Sequence, residues 1–187
     1  TNVTGTITVT ITGKGNYDGE VTRTYEITPA QLTVTANDDT KVFGTADPKP
    51  FTYTVGDAVG DEEPAFTGGL ERDPGEAVAK YPIRQGSLAL ADDDASGFKA
   101  SNYTIVFQPG EFTITAQSIE AGEVIEVDAP NNVTYDGLAH QWEPVVTKAG
   151  SQDTLTEGTD YTVSYDKNDI TNVTGTITVT ITGKGNY

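Results

Sequence analysis

The dominant pattern along this chain has period two. In TGTITVTITG the threonines at 174, 176, 178, 180 and 182 point to one side of an extended strand, and Ile177, Val179 and Ile181 point to the other. The same alternation predicts strands at Leu32–Ala36 (LTVTA), Phe51–Val55 (FTYTV), Tyr103–Phe107 (YTIVF), Phe112–Thr115 (FTIT), Glu123–Val127 (EVIEV) and Tyr161–Tyr165 (YTVSY). Turn-forming stretches separate them: GKGN, DPKP, GDAVGDEEP, DPGE, QPGE, APNN, EGTD and KND. No convincing amphipathic helical window is present, and SLALADDDASGF has room for one short helical turn at most. Threonine suits such strands because its β-branched side chain fits the pleat while its hydroxyl keeps the outer face wet. The pattern therefore predicts an all-β protein of many short strands. The expected architecture is two small antiparallel β-sandwiches of Ig-like character, with a β-grasp-like sheet and short helix as the alternative.

The words also repeat. Residues 1–17 and 171–187 are identical, an offset of 171 − 1 = 170. Such identity implies one period of a tandem array plus a short overlap, cut at arbitrary phase. On that reading residues 1–29 are the C-terminal strands of a preceding copy. One β domain spans residues 30–116. A second spans 117–187 and lacks its last strand, whose counterpart is Gly19–Thr28. Both boundaries read alike, TYEIT-PAQ before Leu32 and EFTIT-AQS before Ile119, so each module is expected to pass to the next through two or three residues. Short junctions, one carrying Pro29, leave little room for bending. A missing final strand leaves an unpaired sheet edge. Residues 1–29 are expected to pair with the incomplete module of a neighbouring molecule.

Composition narrows the function. The formal net charge is −17, from 11 basic and 28 acidic residues. That disfavours nucleic acid and anionic membranes, which attract clustered Lys and Arg. There is no cysteine, hence no disulfide framework and no thiolate metal site. No apolar run approaches the roughly 20 residues that span a bilayer. His140 is the one histidine, and GLAHQW around it contains no nucleophile elbow, so catalysis is not expected. Acidic pairs are abundant in so acidic a chain and do not by themselves signal glycoside hydrolysis. Calcium would want closely spaced carboxylates. Asp92, Asp93 and Asp94, and the loop of Asp57, Asp61, Glu62 and Glu63, are the places to look, but neither matches the EF-hand ladder, and solvated acidic loops are the simpler reading. No cofactor is expected. Sequons at Asn2, Asn102, Asn132 and Asn172 follow from threonine abundance, and no glycan is expected. A Lys–Asn isopeptide staple needs a Lys, an Asn and an acid together in a core, and no adjacency in the sequence selects such a trio. The threonine ladder belongs to one strand per period, which favours an amphipathic outer strand over an ice-binding face.

Two stretches carry a family resemblance. LTVTANDDTKVFGTADPKPFTYTV, followed by GGLERDPGEAVAKYPI and closed by NYTIVFQPGEFTIT, resembles an MBG domain of the YGX type, with Phe43-Gly44 standing where the family has Tyr-Gly. VTYDGLAHQWEPVV, LTEGTDYTVSY and GTITVTITGKGNYDGEVTRTYEIT together resemble a companion repeat with a YDG motif, here Tyr135-Asp136-Gly137. The resemblance implies an exported adhesin or stalk at a bacterial cell surface. Bottom-up, both motifs place an aromatic before a glycine turn. Tyr81, in GEAVAKYPI, is the residue expected to hydrogen-bond back to a sandwich corner.

The favoured function is mechanical: a repetitive, extracellular stalk that projects an adhesive tip, with neighbouring copies of the repeat as its partners. The competing reading is a module that binds host mucin or glycan, with avidity supplied by the copies. Its candidate ligand contacts are Tyr135, Trp142, Tyr161 and Tyr165. Clustering of these rings on one exposed face would favour binding; burial in the core would favour the stalk.

Overall fold

The computed structural model describes residues 5–120, 125–167, 171–172 and 175–187. The sequon at Asn2, Glu123 and Val124 of the EVIEV strand, and Asn168 and Asp169 of the KND turn lie outside the described residues. In chain order the strands are β1 (Gly5–Thr12), β2 (Glu20–Ile27), β3 (Ala30–Ala36), β4 (Asp39–Val42), β5 (Tyr53–Val55), β6 (Ala65–Thr67), β7 (Glu71–Arg72), β8 (Ala79–Arg84), β9 (Ala89–Ala91), β10 (Tyr103–Gln108), β11 (Gly110–Thr115), β12 (Ile125–Val127), β13 (Val146–Lys148), β14 (Tyr161–Tyr165) and β15 (Val179–Gly183). The described helical content is a single 3-10 turn, Ala100–Asn102. The chain is all-β, as the period-two alternation predicts.

Two compact units interleave in sequence. The first comprises Thr1–Asp39, Pro48–Pro74 and Tyr81–Phe112; the second comprises Thr40–Asp47, Gly75–Lys80 and Thr113–Tyr187. In the first unit, β3 is the central strand of a three-stranded sheet in the order β10-β3-β5. Its LTVT alternation puts Leu32, Val34 and Ala36 inside, each under 5% exposed, and leaves Gln31, Thr33 and Thr35 exposed. The β3–β10 pairing is parallel, Ala30 opposite Tyr103 through Thr35 opposite Gln108. This corrects the wholly antiparallel expectation. Parallel strands need a long crossover rather than a tight hairpin, and the chain between β3 and β10 supplies one. Leu32 packs with Phe98 and Tyr103, whose rings stack at 5.2 Å. Phe51 meets Phe112 edge-on at 5.5 Å. Also in this unit, β1 and β2 form an eight-residue antiparallel hairpin from Gly5–Ile27 to Thr12–Glu20.

In the second unit, Ile125, Val146 and Tyr161 form the core, flanked by the half-buried Ile119, Leu155, Val163 and Ile181. Around it β12 pairs with β13 and β14 with β15, both antiparallel. Lys41, on β4, is a buried charge here. Its ammonium donates to Asp47 at 2.8 Å and to Glu76, so the burial is compensated.

At the two boundaries expected between modules the strand spacing differs. Only Thr28 and Pro29 separate β2 from β3, as expected from the sequence. Beyond β11, residues 116–120 are described and form no strand, and the next strand begins at Ile125. The second boundary therefore does not have a strand within two or three residues on its far side.

Candidate functional site

The second unit brings the repeated word GKGNY against the loops around Phe43 and Val78. The word builds its own turn. A Cβ on Gly183 would lie 2.7 Å from the carbonyl carbon of Tyr187, so only glycine fits, and Gly185 takes a positive φ of 68°. The Lys184 N–H donates to the Asp160 carbonyl at 2.9 Å, and the Tyr187 N–H closes the turn on the Lys184 carbonyl at 3.3 Å. This presents Asn186 and Tyr187 together. The Asn186 carbonyl accepts the Gln117 N–H at 3.0 Å. Its side-chain Oδ1 accepts the Val78 N–H at 2.8 Å. The Tyr187 ring meets Phe43 edge-on, centroids 5.5 Å apart and planes at 73°. Phe43 is itself fixed, because its N–H donates to the Thr115 carbonyl at 2.8 Å and the chain turns at Gly44 with φ 83°. Burial, with Asp160 and Asp153 nearby, raises the Tyr187 phenol above its ordinary value.

The joint thus ties three separate segments, 43–44, 78 and 117, to the last two residues of the GKGNY word. Sequence reading assigned Phe43-Gly44 a turn role and did not find its partner. In the first copy of the word, which ends at Tyr17, the ring is 81% exposed. The turn is the same there, since a Cβ on Gly13 would lie 2.8 Å from the Tyr17 carbonyl oxygen.

The four candidate aromatics do not share one exposed face. Tyr161 is a core residue, 5% exposed, with its hydroxyl 3.4 Å from the Pro144 carbonyl and its phenol raised first by burial. This overturns Tyr161 as an offered contact, because strand alternation turns its ring inward onto Ile125 and Val146. Tyr165 is half-buried and donates to the Trp142 carbonyl at 2.6 Å. Trp142 is half-buried and points its indole N–H at Asp128 Oδ2, 3.3 Å away. Tyr135 is 58% exposed. After it the chain turns at Gly137, φ 82°, with Asp136 Oδ1 accepting the Leu138 N–H at 2.9 Å. His140 lies 2.7 Å from Asp136 Oδ1, and this contact, ahead of the Leu138 bond, holds the Asp136 carboxyl below its ordinary value.

The acidic stretches have partners of their own. Lys99 bridges Asp92 and Asp94 at 3.4 and 2.6 Å. Asp92 also accepts the Ala100 N–H, and Asp93 accepts the Ala95 N–H. Glu62 accepts the Tyr103 hydroxyl proton at 2.9 Å, and the same hydroxyl oxygen accepts the Val59 N–H. Among the described residues no three His, Cys, Asp or Glu side chains are grouped to hold a metal ion. Lys41 has the company a staple would need in acids, but the partners are Asp47 and Glu76 rather than an asparagine. Tyr81 carries the Arg72 guanidinium over its ring at 5.3 Å.

No curated protein and no solved structure matches this chain. Residues 32–113, the stretch that contributes Phe43, Gly44 and Val78 to the joint, match the family model described as MBG domain (YGX type), which is consistent with a bacterial surface adhesin-type repeat module.

Proposed function

We propose that this chain is part of a non-catalytic, tandem-repeat stalk of a bacterial cell-surface adhesin, standing outside the cell and holding an adhesive tip away from it. On this reading residues 117–187 are a YDG-type repeat. The observation that carries the reading is the Phe43–Tyr187 joint. A hinge would be built from few contacts; here a ring contact and two hydrogen bonds to Asn186 tie the GKGNY word to the loops at 43 and 78 and to Gln117. Repetition supplies length, and clamped junctions supply stiffness. The test is the length of arrays of increasing period number, measured by electron microscopy and small-angle scattering. A stalk lengthens in proportion to the number of periods. Tyr187→Ala with Asn186→Ala in every period should make it markedly shorter than that. Growth with about the square root of the period number in the unaltered array is flexible-chain behaviour and would sink the reading.

A second reading keeps one specific observation in its favour: Tyr135 is exposed and Trp142 is half-buried in the same unit. An array of several periods would be tested on a mucin and glycan panel, where weak sites are reinforced by copy number. Retained binding that Trp142→Ala abolishes would make the repeats themselves adhesive.

A further inference from the structure

The word GTITVTIT occurs as residues 5–12 and again as 175–182, and the two copies do not have the same structure. The first is strand along its whole length, eight residues paired with β2. The second is strand only from Val179, where β14 lies beside it, and residues 175–178 are not strand. Identical sequence with different outcome means that the partner, not the word, decides.

The two copies also use opposite edges of the strand. In an antiparallel ladder a residue directs its N–H and C=O to one side, and its neighbours direct theirs to the other. In the first copy the Gly13 N–H donates to the Gly19 carbonyl at 2.8 Å. In that register Gly5, Ile7, Val9 and Ile11 likewise bond towards β2. In the second copy the Thr178 carbonyl accepts from Asp166 at 3.0 Å and the Lys184 N–H donates to Asp160 at 2.9 Å. Thr180 and Thr182 therefore bond towards β14. With an offset of 170, odd positions of the word face β2 and even positions face β14. The pairings do not compete. No strand among the described residues occupies the odd edge of β15.

Side chains tell the same story. Val21, Arg23, Tyr25 and Ile27 stand opposite Ile11, Val9, Ile7 and Gly5, so they share a face with the apolar residues of β1. The other face of the hairpin is threonine and glutamate throughout. On the apolar face Val9, Ile11, Val21 and Tyr25 are 42%, 61%, 47% and 55% exposed. Their counterparts in the second copy, Val179 and Ile181, are half-buried. Those two line an apolar hollow with Ile119, Ile125 and Val127.

We infer that the odd edge of β15 is an acceptor site for a strand of sequence Glu20–Ile27, the segment that follows the GKGNY word in its first copy. The completed sheet is a β14-type strand, GTITVTIT, then a β2-type strand, with the threonine word in the centre. Val21 and Tyr25 of the incoming strand extend the apolar face beside the hollow. This rests on hydrogen-bond direction and not on the stalk reading: a flexible array with a protected edge would remove only the stalk.

The test is amide hydrogen exchange by NMR, with the full chain lengthened beyond Tyr187 by DGEVTRTYEIT. The amides of Val179, Ile181 and Gly183 should exchange roughly a hundredfold more slowly, while Thr180 and Thr182 change little. The same peptide, added to the unlengthened chain, should protect the same three amides, and a peptide with Val21→Asp and Tyr25→Asp should not. A folded, lengthened chain with those amides unchanged overturns the inference, and so does protection arising on the even positions. If lengthening prevents folding, the peptide titration decides by the same criterion.

Discussion

At the scale of the residue, Lys41 shows what a sequence withholds. Its ion partners stand 6 and 35 positions away, and nothing in KVFGTAD marks this lysine as the buried one. Asp47 and then Glu76 raise its ammonium above the ordinary 10.5, outweighing burial, which acts the other way. The sign follows: the pair contributes stability fully below the unfolded-chain value and loses it as pH climbs through the higher folded one. Lys41→Met removes one partner and leaves two carboxylates facing each other. We expect a loss of about 2–3 kcal/mol at neutral pH in urea unfolding. The gap between the two proteins should narrow once pH passes above 10.5. An unchanged gap there would mean that the charge contributes nothing. Tyr161 was legible as a strand residue but not as a core one, since YTVSY alternates without saying which face is inside. Its neighbours Ile125 and Val146 come from distant strands. Tyr161→Ala should cost about 3–5 kcal/mol by loss of packing, whereas the exposed Tyr135→Ala should stay within about 0.5 kcal/mol. Comparable losses from both would contradict the burial described here.

Among elements, strands with a run of alternation were legible and the shortest were not. LTVTA, YTIVF, FTIT and YTVSY all carry enough residues for a period to appear, and all became strands. AFT at β6, ER at β7 and ALA at β9 have three residues or fewer, too few for alternation to register, and pairing alone makes them strands. Parallel direction in β3–β10 was equally invisible, because the alternation within a strand is the same whichever way its neighbour runs. The GKGNY word was legible as a turn, and the joint was not, because Phe43 and Val78 lie far from it in sequence. Gly183 links the two. Gly183→Ala forces a methyl group into the Tyr187 backbone, and we expect a loss of about 1–3 kcal/mol. Tyrosine fluorescence should also report a displaced Tyr187. The control is Gly15→Ala: nothing lies within 4 Å of its Cβ, so crowding is absent and only its positive φ of 72° resists. A crowding effect at Gly183 without loss of the Tyr187 contact would separate the turn from the joint.

For the whole molecule, the charge of −17 works against compactness. Added salt screens that repulsion. The thermal midpoint should therefore rise from low to moderate salt; a fall would mean that pairs such as Arg84–Asp73 outweigh the general repulsion. The parallel pairing of β3 with β10 has a consequence in time rather than in stability. The β1–β2 hairpin closes across a few residues, and such hairpins form in roughly 1–10 μs. Ala30 must wait for Tyr103, 103 − 30 = 73 residues later. A contact that distant is slow, because the loop must be closed before any reward arrives. A chain that emerges from its amino end therefore has its first hairpin formed while Leu32 and Val34 are still without cover from β10. The most deeply buried strand of the first unit can pair early with β5 along one edge, and its other edge is covered only when β10 arrives.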